Sequence, residues 1–222
     1  MSKILSGAYG RPSGKAGGLV WGAGRTTQGK VSTIREYVIP NDPRTTDQLE
    51  RRSIFSVAVG VARAVGSPIW QLPWNRSLGD LPGWQSFVGY CIKGIEKHDG
   101  DFRWTSPPNS KSLGPVYMPP MTASAEVPSS LELTWDKTLI GDHCALSDVL
   151  QGFITLQTAP DTPEKVQVIS PGTAREDETY TFADLETSTP YFVCVWFRHA
   201  EESGAYTYSP CYVVIQTSGA AA

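Results

Sequence analysis

The stretch Asn41–Ser67, NDPRTTDQLERRSIFSVAVGVARAVGS, constrains the fold more than any other part of the chain. Pro40 and Pro43 withhold amide donors and push their predecessors to extended geometry, so a turn comes first. Thr45, with Gln48 three residues on, makes a capping-box start, and Asp47 places a favourable charge at the helix N-terminus. Leu49, Ile54, Val57, Val61, Ala64 and Val65 then form an apolar face, and Gly66-Ser67-Pro68 stops the helix. Ala58, Gly60, Ala62 and Ala64 are small enough to let another element approach closely. A helix of this kind needs a partner surface, and 222 residues with 40% hydrophobic and 18% charged side chains can supply one.

Ahead of the helix lies a glycine-rich arm. Two apolar or β-branched patches, Gly18–Trp21 and Val31–Ile39, flank the turn-like segment Gly22–Gly29. In the second patch Val31, Thr33, Arg35 and Tyr37 alternate with Ser32, Ile34, Glu36 and Val38, the period of a strand with two different faces. The expectation is a β-hairpin, marginal by itself and dependent on its own helix or a neighbouring subunit.

Behind the helix come Trp70, Trp74, Trp84, Phe87 and Tyr90, an aromatic group suited to closing a core over the first helix. Leu81-Pro-Gly-Trp84 opens a second, shorter helix with Trp84, Phe87, Val88, Cys91, Ile92 and Ile95 inward. Residues 97–101 and 105–115 read as linker. The expected organisation is an arm over 1–40, a helical region over 41–104, a linker over 105–116, a sandwich over 117–218 and a tail over 219–222.

Charge is divided unevenly. Residues 1–76 hold eleven basic and four acidic side chains, a surplus of +7, which leaves −10 for residues 77–222. Opposite poles on one chain steer head-to-tail contact between copies, and a basic arm also suits nucleic acid. The N-terminus has no apolar h-region and no apolar run approaches a membrane span, so a cytoplasmic origin without a signal peptide is expected. Cys91, Cys144, Cys194 and Cys211 lack CxxC spacing. Reduced thiols are the default, with a Cys194–Cys211 bridge as the alternative.

From Ala123 the period becomes that of short strands. Ser130–Trp135, Gly152–Gln157, Lys165–Ile169, Thr179–Phe182, Pro190–Arg198 and Tyr206–Thr217 recur at the spacing of an antiparallel sandwich. Leu185, Thr189, Tyr191, Val193 and Val195 fall on the L-x-P-x-T-x-Y-x-V-x-V run of fibronectin type III domains, with Thr187 where that family favours proline. Leu131–Trp135 looks like the family's second strand with its core tryptophan. Residues 117–218 thus resemble a fibronectin type III domain. The resemblance implies a seven-stranded Greek-key sandwich in which the Tyr191 hydroxyl ties the corner before the sixth strand. Residues Ala145–Gln151 depart from a tight loop and leave the middle strand order open. With Val193 and Val195 inward, Phe192, Cys194 and Trp196 point out, either as a contact surface or beneath a covering loop. The fold class is therefore an α+β N-terminal region followed by an all-β sandwich.

The N-terminal half has its own resemblance. Asn41, Pro43, Arg44, Thr45 and Gln48 make the pattern N-x-P-R-T-x-x-Q; a glycine-rich basic hairpin precedes it, and Arg51 or Arg52, Trp70 and Trp84 follow. Residues 14–95 are similar to a group of bacterial and phage-associated proteins with this pattern. That implies a particle or surface component and no activity.

Catalytic signatures are missing. Gly24–Lys30 has phosphate-loop spacing, but Val31 stands where a hydroxyl must hold Mg²⁺, and a strand-like segment follows rather than a helix. His98, His143 and His199 are scattered, Asp142-His-Cys144 are mere neighbours, and Asp99-Gly-Asp101 suits a turn better than Ca²⁺. The run Arg175–Glu178 reads as a solvated loop. No cofactor, metal or small-molecule substrate is implied. The function expected is a non-enzymatic structural protein of a phage or virus-like particle, assembled in the host cytoplasm from copies of itself and other subunits. Its contact residues would be Trp21, Ile34, Arg35, Tyr37 and Arg51 in the arm and helix, with Phe192 and Trp196 on the sandwich. The alternatives are a secreted or surface module binding carbohydrate or protein, and nucleic-acid contact through the arm.

Overall fold

The computed structural model describes residues 14–16, 19–26, 29–36, 44–75, 82–105, 113–141, 143–169 and 172–220, with the strands before residue 44 given by their backbone. They belong to two units, Met1–Thr45 and Thr46–Ala222.

In the first unit β1 (Gly14–Ala16), β2 (Leu19–Thr26) and β3 (Gly29–Glu36) form one antiparallel sheet in that order. Trp21 stands opposite Ile34, Val20 opposite Arg35, and Thr26 opposite Gly29. The expected hairpin is present, with β2 longer than the patch Gly18–Trp21 suggests and residues 37–39 of the second patch outside the described residues: Gly22 and Gly24 lie within β2, because ladder bonds use backbone groups that glycine supplies like any other residue. Gly24 and Lys30 therefore belong to paired strands.

The second unit begins with α1 (Thr46–Val65), one residue after Thr45. Ile54, Val57, Ala58, Val61, Ala62 and Val65 are its buried face. At Gly60 an added Cβ would stand 2.7 Å from the Cβ of Asp161, so the helix sits directly on the loop that contains Asp161. Gly66, at φ 84°, ends α1 and donates its amide to the Ala62 carbonyl. Another helix, α2 (Ser67–Asn75), starts at once where the sequence promised only a stop. Pro68 fits there because amides in a first helical turn need no intrahelical acceptor. The expected short helix is α3 (Gly83–Gly94), with Phe87, Val88 and Cys91 buried. The expected linker at 97–101 is instead the turn of a hairpin between β4 (Ile95–His98) and β5 (Asp101–Trp104). Asp99 and Gly100 both take positive φ, 52° and 97°, as a two-residue hairpin turn demands.

The sandwich consists of β6 (Met121–Ser124), β7 (Leu131–Trp135), β8 (Val149–Leu156), β9 (Gln167–Ile169), β10 (Thr179–Phe182), β11 (Pro190–Ala200), β12 (Tyr206–Tyr208) and β13 (Tyr212–Thr217). One sheet runs β10-β7-β6; the other runs β9-β8-β11, with β12 and β13 sharing the far edge of β11. Taking β12 and β13 as one interrupted strand gives seven. Between the sheets lie Leu131, Leu133, Trp135, Leu150, Ile154, Phe182, Val193 and Val195. The Glu186 amide donates to the Tyr191 hydroxyl at 2.9 Å, the corner tie that the fibronectin resemblance implies.

The other face of β11 corrects a reading of the sequence. Phe192, Cys194 and Trp196 are each 0% exposed. Trp104 stacks on Phe192 at 3.9 Å, and Trp74 meets Trp196 at 6.4 Å. Phe87 meets Phe153, the β8 neighbour of Cys194, at 5.6 Å. Phe192 and Trp196 consequently offer nothing to a partner: a row of apolar side chains on a sheet requires cover, and the chain's own helices and the β4–β5 hairpin provide it. The helical region and the sandwich are for the same reason one unit, not two bodies on either side of a linker at 105–116. The Trp104 amide donates to the Gln157 carbonyl at 2.9 Å, and Leu113 and Val116 are buried.

Cys91, Cys194 and Cys211 are buried free thiols around Tyr90. Burial, reinforced by Cys194, Cys211 and Cys91, pushes the Tyr90 hydroxyl far above its ordinary range. Burial and then Cys194 likewise hold the Cys91 thiol well up. Both groups stay neutral at physiological pH, which deprives Cys91 of nucleophilic character.

Candidate functional site

Among the expected contact residues whose side chains are described, Arg51 is the one that lies exposed on a shaped surface. Every residue from Arg44 to Arg52 is exposed, because the buried face of α1 starts only at Ile54. Between the start of α1, the end of α3 and β4 lies a groove of about 570 Å³. Ile54, Ile92 and Ile95 form its apolar floor, and Asp47, Glu50, Arg51, Lys93, Glu96 and Lys97 its charged rim. On the side of α1 away from its buried face, Leu49 is 48% and Phe55 53% exposed, among exposed Arg52, Ser56 and Arg63. Large apolar side chains in that position are unusual for a helix already packed on one face.

The remaining expected residues are divided. Trp21 and Ile34 are paired across β2 and β3, and Arg35 is paired with Val20. Tyr37 lies outside the described residues. Phe192 and Trp196 are core.

A second surface was missed by sequence reasoning. Asp148, on the loop before β8, and Arg175 are fully buried, with Arg175 Nη2 3.2 Å from Asp148 Oδ2. His199 Nδ1 approaches Asp148 Oδ1 to 2.6 Å, and the Ala145 amide donates to Oδ2 at 3.0 Å. Arg175 also donates to the Tyr117 carbonyl at 2.9 Å, and its guanidinium lies 4.2 Å from the centre of the Phe197 ring. Nothing in the local sequence marks these three as partners. Glu176, Asp177 and Glu178 do form the solvated run expected, while Arg175 turns inward. The network joins the loop 136–148, the loop before β10 and the end of β11. Beside it His143 Nδ1 lies 3.0 Å from Glu201 Oε1, which also accepts from Thr207 at 3.0 Å.

Those contacts, Thr207 first and His143 second, hold the Glu201 carboxyl below its ordinary range. A depressed folded-state value contributes stability above the unfolded value, and the contribution is lost as pH falls through the folded value. An NMR titration of Glu201 is expected to give a midpoint below 4.5, rising when His143 becomes alanine. A midpoint at or above 4.5 in the intact protein would remove the link between these two loops.

The loops fixed in this way expose Leu139 (45%), Ile140 (54%) and Leu146 (40%), with Tyr206 at 38% on the neighbouring strand. Among the described residues no cluster of His, Cys, Asp or Glu suits a metal ion, and no helix is long and apolar enough to cross a membrane.

No protein family and no curated protein matches the sequence. Among solved structures the chain is similar to the fn3 domain of human collagen alpha-1(XX) chain, at 17% identity and TM-score 0.35, over 51% of this chain and 94% of that one. It is similar to the fn3 domain of human contactin 1 at 14% and 0.32, over 49% and 87%. A computationally redesigned β-sandwich protein aligns at 16% and 0.33, over 48% and 94%. The sandwich assignment rests on the chain's own strand order and core.

Proposed function

We propose that the protein is a non-enzymatic structural protein that assembles with copies of itself, using the N-terminal arm and the exposed start of α1, in a particle of the phage or virus-like kind. The observation that carries this reading is the arm sheet. Among the described residues β1, β2 and β3 pair only with one another, which leaves the outer edges of β1 and β3 unpaired. A small sheet with two open edges gains most from a partner, either strand to strand or by packing one face. The exposed Leu49 and Phe55 add apolar area next to the arm in sequence. The N-x-P-R-T-x-x-Q pattern at residues 41–48 is the sequence feature that favours a particle as the setting.

Amide exchange measured at two protein concentrations tests the arm's part. Protection in residues 19–36 is expected to rise with concentration as copies associate. Protection that is the same at both concentrations would count against assembly through the arm.

A further inference from the structure

Six of the eight large apolar side chains exposed among the described residues lie on two surfaces of the second unit: Leu49 and Phe55 on α1, and Leu139, Ile140, Leu146 and Tyr206 on the loop end of the sandwich. The two surfaces differ in charge. Arg52 and Arg63 accompany the first, while exposed Asp136, Glu176, Asp177 and Glu202 surround the second. Lys137, 3.3 Å from Glu178, and Arg198, 4.6 Å from the centre of the Tyr206 ring, also lie there, so carboxylates still outnumber basic groups on the second surface. All six apolar side chains remain exposed in the folded unit, so neither surface covers the other within one copy.

We propose that the α1 surface of one copy docks on the loop end of a second copy. The inference rests on the self-assembly reading above and supplies the receiving surface. Opposite charge selects the pairing of helix to loops over helix to helix or loops to loops, since like surfaces would bring arginines or carboxylates together. The buried Asp148–Arg175–His199 network pre-organises the loop end, so little ordering entropy is lost on docking. A contact between two different patches is heterologous, and repetition of it closes into a ring or continues as a filament. The contact weakens with added salt.

Cys144 provides the test. It lies partly buried in the loop between Ile140 and Leu146, the most accessible of the four cysteines, whereas Cys91, Cys194 and Cys211 are at most 1% exposed. A maleimide photo-crosslinker is attached to Cys144 in the full chain, isotopically light and heavy copies are mixed, and cross-copy products are mapped by mass spectrometry. Links from Cys144 to residues 46–63 of the other copy are expected, and the double variant Leu49→Ser/Phe55→Ser should lower their yield by about tenfold or more. Assembled protein whose cross-copy links avoid α1, or whose yield ignores that variant, overturns the docking and leaves arm-mediated assembly standing. A chain that stays monomeric at every concentration overturns both.

Discussion

Replacing Trp196 with alanine is expected to cost roughly 3–5 kcal/mol of folding stability, the usual penalty for emptying a buried aromatic site. Trp196 is 0% exposed and touches Trp74 of α2, so the cavity would open between the sheet and the helical layer. Denaturant unfolding measures the loss. Near-ultraviolet circular dichroism should show the tryptophan environment loosening while the signal of the β-sandwich persists. A loss below about 1 kcal/mol, the size expected of a surface position, would mean that the helices do not rely on this face.

The second large effect is expected at Asp148. Its replacement by alanine leaves the Arg175 guanidinium buried against the Tyr117 carbonyl and the Phe197 ring without its carboxylate partner. Breaking a buried ion pair by removing one partner costs about 3–5 kcal/mol, because the surviving charge stays desolvated. Changing Arg175→Met in the same chain removes that charge, so the double variant should be more stable than Asp148→Ala alone. Urea unfolding of the two variants decides the point. If the double variant is the less stable of the two, Arg175 holds the fold through its stem and stacking, and the charge pairing is secondary.

Local physics was readable from the sequence. The strands of the sandwich, the arm hairpin, α1 and α3 follow from period and turn residues, which act over a few neighbouring positions, whereas the Tyr191 tie came from the fibronectin type III resemblance. What escaped depends on the third dimension. Phe192, Cys194 and Trp196 were placed correctly on the face opposite Val193 and Val195, but their cover comes from residues roughly a hundred positions earlier. A signal existed in the unbroken run Tyr191–Phe197, since a strand apolar at every position is one buried on both faces. The turn at Asp99-Gly100 was also visible as an Asp-Gly pair between short strands, hidden by the charged residues around it. Asp148, Arg175 and His199 had no such signal: their partnership exists only once three segments of the fold meet. Of the surfaces proposed here for contact, the exposed start of α1 with Arg51 was legible from its place ahead of the buried face of the helix. Leu139, Ile140 and Leu146 became visible only when the loop proved to be pinned with those side chains outward.

The most direct test of self-assembly is light scattering on the full chain beside a chain that begins at Asn41. The full chain is expected to form discrete particles or filaments far larger than the 24.2 kDa monomer, with a marked loss of size when residues 1–40 are removed. Monomers in both cases would contradict self-assembly.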